Sequence, residues 1–66
     1  MKVIKVNGKF AAYTPMTLLE FLQQHEYNPA HVVVERNMEI ITKERFAEVE
    51  LNENDEINIL KFLGGG

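Results

Sequence analysis

Residues 2–22 read KVIKVNGKFAAYTPMTLLEFL, from Lys2 to Leu22, and this stretch decides the architecture. Lys2 to Val6 is rich in β-branched residues and alternates loosely, which predicts a strand with Ile4 and Val6 on one face. Asn7-Gly8 follows, a preferred pair for a two-residue type I′ turn, because Asn tolerates positive φ and Gly has no Cβ to clash. Lys9 to Tyr13 then returns as the second strand of a hairpin. Ala11 and Ala12 blur its alternation and leave open which of Phe10 and Tyr13 points inward. Thr14-Pro15 breaks the ladder, since proline has no N–H to donate. Thr17 with Glu20 three residues later is a capping box, and Leu18, Phe21 and Leu22 share one helical stripe.

Downstream, Gln23, Gln24 and His25 close this short helix and Asn28-Pro29 ends it. Val32-Val33-Val34 is apolar on both parities, which predicts a strand covered on both faces or paired in the sheet interior. Arg36-Asn37 reads as a second turn and Glu39-Ile40-Ile41 as a short return strand. Thr42 to Phe46 is expected to make one helical or 3₁₀ turn capped by Thr42, with Phe46 and Val49 in a satellite cluster beneath it. The acidic stretch from Glu48 to Glu56 lacks the glycine and ligand spacing of a calcium loop and reads as a solvated strand edge and turn. In the last strand, Glu56 to Phe62, Ile57 and Ile59 fall on one parity and Leu60 and Phe62 on the other. This order predicts an α+β domain over residues 1–62, a mixed sheet of four to five strands with one main helix across one face. The long route through the helix lets a later strand pair in parallel with the first, which is the β-grasp arrangement.

Composition narrows the function. Sixty-six residues allow one domain. With no cysteine there is no disulfide, thiolate metal cluster or thiol nucleophile, and His25 and His31 are too few for a zinc site without carboxylates. His25 at a helix end and His31 beside it read as surface residues rather than ligands. Seven Lys and Arg against ten Asp and Glu give a net charge of −3, and the basic residues form no cluster in sequence, which argues against nucleic acid. Lys2-Val3-Ile4-Lys5 interrupts any apolar run of signal-peptide or membrane length, so a cytoplasmic protein is expected.

What remains is the tail. Gly64-Gly65-Gly66 follows an apolar strand directly, and glycine is entropically expensive to order. Such a tail is either a frayed end or a terminus that must pass where no Cβ fits. Extended, residues 63–66 span roughly 13 Å, enough to take Gly66 into another protein's active site. If Ile57 and Ile59 face the helix, then Leu60 and Phe62 point to the open sheet face, to be met by a partner, by the Phe46 segment or by a second copy.

Val6-Asn7-Gly8-Lys9, the Thr17-Leu18 and Phe21-Leu22 pairs of the helix, Val34-Glu35-Arg36-Asn37 with Glu39-Ile40-Ile41, and Phe62-Leu63-Gly64-Gly65-Gly66 together resemble the ThiS sulfur carriers of thiamine biosynthesis. The resemblance spans essentially the whole chain and implies a ubiquitin-like β-grasp fold. It implies a substrate protein, not an enzyme, that binds no cofactor itself. An E1-like adenylyltransferase of the ThiF type would use ATP and magnesium to adenylate the Gly66 carboxylate. A cysteine desulfurase relay would then replace AMP with sulfur, and a thiazole synthase of the ThiG type would take that sulfur from the thiocarboxylate. Gly64 and Gly65 would give clearance in the partner's active site, Phe62 and Leu63 an apolar anchor, and Leu60 part of the docking face. The molybdopterin synthase small subunit and ubiquitin-like modifiers share this logic, and a β-grasp module that binds partners without using its glycines is the reading from another class.

Overall fold

The computed structural model describes residues 2–62. Strands β1 (Lys2–Val6) and β2 (Lys9–Tyr13) lead into helix α1 (Leu18–Gln24). A 3₁₀ turn (Pro29–His31), β3 (Val32–Arg36), β4 (Glu39–Ile41), a second 3₁₀ turn (Lys43–Arg45) and β5 (Glu56–Lys61) follow. All five strands join one sheet in the order β2-β1-β5-β3-β4. β1 pairs in parallel with β5, and every other pairing is antiparallel.

The hairpin forms as its turn chemistry predicts. Val6 opposes Lys9, and Asn7 (φ 50°) and Gly8 (φ 84°) both take the left-handed conformation of a type I′ turn. A Cβ on Gly8 would meet nothing within 4 Å, so glycine serves there for its φ and not for space. Register settles the ambiguity of β2: Tyr13 is buried in the core, whereas Phe10 is 76% exposed on the other face under the Lys5 ammonium. Burial and the nearby Glu53 and Asp55 carboxylates raise the Tyr13 phenol above its ordinary pKa, away from any acid–base role near neutral pH.

The capping box is complete. Thr17 Oγ1 accepts the Glu20 N–H (3.2 Å) and Glu20 Oε1 accepts the Thr17 N–H (2.9 Å). The helix ends earlier than Asn28-Pro29 requires. Glu26 turns left-handed (φ 63°), its N–H bonds to the Gln23 carbonyl and the Tyr27 N–H to that of Leu22, which is a Schellman stop. Asn28-Pro29 instead starts the Pro29–His31 turn, with Asn28 Oδ1 accepting the Ala30 N–H.

Residues 42–55 depart most from expectation. Thr42 makes no side-chain cap, and the turn after it is held by backbone bonds alone. Phe46 and Val49 belong to the main core and form no satellite. Their segment caps the helix from outside: the orphan Leu18 N–H bonds to the Val49 carbonyl (2.7 Å) and the Leu19 N–H to the Phe46 carbonyl (2.9 Å). Asp55, expected in a solvated turn, is buried; it accepts the Asn52 N–H and Asn37 Nδ2–H and faces the Arg36 guanidinium at 3.9 Å.

The core lies between α1 and one sheet face, where Leu18, Phe21 and Leu22 meet Ile4, Val34, Ile57 and Ile59. β3 is an interior strand, yet only Val32 and Val34 are buried, so coverage on both faces is not found. The second hairpin turns at Asn37 (φ 52°) and Met38 (φ 70°), one residue later than Arg36-Asn37 suggests. Met38 is 86% exposed there. A left-handed conformation costs an L-residue roughly 1–2 kcal/mol and glycine loses about 0.5–1 in chain entropy, so Met38→Gly is expected to stabilise by about 0.5–1 kcal/mol. At this size that raises the melting temperature by roughly 4 °C. A lower melting temperature in a thermal scan would contradict the assignment.

Candidate functional site: the open sheet face and the root of the tail

Strand alternation leaves one face of the sheet without a helix. There Val33 lies directly opposite Leu60, and Glu35 lies between Ile40 of β4 and Asn58 of β5, whose Nδ2 donates to Glu35 Oε1 at 3.2 Å. Together with Asn7 and Ile59 they line a shallow apolar groove whose polar residues are Asn7, Glu35 and Asn58. Leu60 is 67% exposed and Ile40 61%, far more than a sheet facing only water requires. The Phe46 segment does not cover this face; it packs on the helix side.

The groove runs toward the end of β5. The Phe62 N–H donates to the His31 carbonyl (3.0 Å), which carries the β3–β5 ladder one step past the strand, and the His31 ring meets the Phe62 ring edge-on at 6.4 Å. On the helix side the Lys61 ammonium sits 5.1 Å from the centre of the Tyr27 ring. Both faces of the tail's root are thereby anchored.

Of the site residues read from sequence, Leu60 and Phe62 share the face that their parity predicts, with Phe62 45% exposed. Leu63, Gly64, Gly65 and Gly66 lie outside the described residues. Val33 and Ile40 escaped the sequence reading as members of this face. The run Val32-Val33-Val34 holds two inward residues around one outward one, Ile40-Ile41 holds one of each, and only register separates them. His31, read as a surface residue, lies against Phe62 at the tail's root; His25 caps the C-terminus of α1 and stacks on Phe21 at 4.3 Å. Among the described residues no three His, Asp or Glu converge to hold a metal, and no helix is long and apolar enough to cross a membrane.

A mixed five-stranded sheet grasping one helix, its last interior strand running into a glycine tail, defines a ubiquitin-like β-grasp protein. The model of the ThiS family matches residues 4–66, and the chain belongs to that family. It is 41% identical over 66 residues to the sulfur carrier protein ThiS of Bacillus subtilis, covering 97% of this chain and 100% of that one. A thiazole synthase from Paramagnetospirillum magneticum is 36% identical over 67 residues, which take in 100% of this chain and 20% of the synthase. The crystal structure of the thiamine biosynthesis protein ThiS from Geobacter metallireducens superposes with a TM-score of 0.82 at 28% identity, covering 97% of this chain and 99% of that one.

Proposed function

We propose that this protein is a sulfur carrier of thiamine biosynthesis whose Gly66 carboxylate is adenylated, converted to a thiocarboxylate and used as the sulfur source for the thiazole ring. Membership of the ThiS family over residues 4–66, glycine tail included, carries this reading. A carboxylate is a poor electrophile until joined to a good leaving group, and this chain has no cysteine to form a thioester of its own. Activation then falls to a separate adenylyltransferase of the ThiF type, with ATP and magnesium bound by that enzyme. A cysteine desulfurase relay supplies the sulfur, and the carrier is a substrate, not a catalyst. A thiazole synthase that contains a segment similar to this chain supports such a synthase as the acceptor enzyme. The absence of cysteine suits the reducing cytoplasm as the place of action.

The test is intact-protein mass spectrometry after incubation with ATP, a ThiF-type enzyme and a cysteine desulfurase with cysteine. A mass gain of one sulfur-for-oxygen exchange that maps to Gly66 is expected. No gain with an activating enzyme verified on another carrier would move the assignment to a modifier or a non-covalent module.

The open face docks the activating enzyme in this reading, with Leu60 near its centre. Leu60→Asp puts a charge where a partner would desolvate it, and kcat/KM for activation should fall about tenfold or more. Because Leu60 is exposed, stability should stay within about 0.5 kcal/mol of the parent. An unchanged kcat/KM would remove Leu60 from the docking face.

A further inference from the structure

Asn7 and Asn37, one in each hairpin turn, treat β5 alike. Asn7 donates its N–H to the Ile57 carbonyl (2.9 Å) and accepts the Ile59 N–H on Oδ1 (2.7 Å). Asn37 donates its N–H to the Glu56 carbonyl (2.8 Å) and accepts the Glu56 N–H on Oδ1 (2.9 Å). Asn37 thus grips the start of β5, and Asn7 grips its middle. The Asn7 contact matters more for the tail because of where β1 stops. Its ladder with β5 runs through Lys5–Glu56 and Val6–Ile57, and then the chain turns away. The Asn7 side chain adds one further rung, at Ile59, three residues before Phe62. On the opposite edge β3 holds the strand through Leu60, Lys61 and Phe62.

We propose that Asn7 is a positioning residue for the C-terminal exit: its side-chain oxygen fixes β5 at Ile59 and so sets the line along which Phe62 leads toward Gly66. The functional part rests on the reading that Gly66 receives sulfur. A strand held along both edges keeps one direction, whereas one held along a single edge can twist about that edge. Loss of one partly buried hydrogen bond should lower the population of the aligned strand about fivefold.

Two substitutions separate the side-chain acceptor from the turn. Asn7→Gly keeps the positive φ and deletes the oxygen; Asn7→Asp keeps both. Amide exchange on the free protein reads alignment without any partner contact. In Asn7→Gly the Phe62 amide, bonded to His31, should exchange about fivefold faster while Val34 in the core is unchanged, and Asn7→Asp should restore it. The kcat/KM for sulfur loading at Gly66 should fall and recover in parallel. Phe62 exchange that stays at the parent rate, or that rises only in step with Val34, would overturn the proposal by leaving Asn7 a purely structural role. If the parent protein loads sulfur and Asn7→Gly loads it with the same kcat/KM, Asn7 does not position the tail and the carrier reading stands. If Phe62 responds as expected but the parent protein gains no sulfur, the carrier reading fails and the alignment by Asn7 stands.

Discussion

Deletion of Gly65 and Gly66 is expected to abolish sulfur loading while leaving the melting temperature within a degree or two of the parent, as roughly neutral surface changes do in small domains. The two halves of this expectation have separate causes. Loading fails because the carboxylate would then sit on Gly64, two residues or roughly 7 Å short of where Gly66 would carry it. Stability persists because, among the described residues, the buried apolar ones that form the core all lie between Ile4 and Ile59. Loading assayed by intact mass, beside a thermal scan of the same sample, measures both. A truncated protein that still gains sulfur would sink the proposed role of Gly66. One that unfolds at a much lower temperature would show that the tail contributes to the fold.

The second large effect is expected at Phe46. Truncating a buried phenylalanine to alanine costs about 3–5 kcal/mol, and a domain of this size rarely holds more than about 3–5 in total. Phe46→Ala should therefore be largely unfolded at room temperature by circular dichroism. The loss should exceed that for a peripheral aromatic, because the Phe46 side chain is buried among helix and sheet while its carbonyl caps the Leu19 amide. Cooperative unfolding within a few degrees of the parent would show that residues 42–55 are a detachable flap.

That contrast marks what was legible from residues alone. The Asn7-Gly8 turn and the Thr17–Glu20 capping box are local chemistry, complete within four residues, and the chain forms both as read. The open face was half legible: the parity of β5 exposes Leu60 and Phe62, but Val33 and Ile40 join them only through the register of three strands. The segment from Phe46 to Leu51 was misread, because what organises it is the set of orphan amides at the start of α1, some thirty residues upstream. Asp55 was misread for a related reason. An acidic run looks solvated until one of its carboxylates gains partners from elsewhere, here Asn37 and Arg36 on the β3–β4 hairpin. The helix closes at Gln24 and His25 as read, but its stop was credited to Asn28-Pro29, because glutamate is an unusual residue at the left-handed position of a Schellman motif.

The parallel pairing of β1 with β5 also fixes where the protein can be held. Lys5 lies beside Glu56, so Lys2 and Phe62 stand at opposite poles of the sheet, about nine strand residues or roughly 30 Å apart. A tether, a dye or a fused domain placed ahead of Lys2 would sit at the far pole of the sheet from Phe62 and leave that end unobstructed. The same molecule anchored through β4 would present the groove beside Leu60 to the tether and block it. For immobilised binding or single-molecule work on sulfur transfer, the N-terminus is the handle.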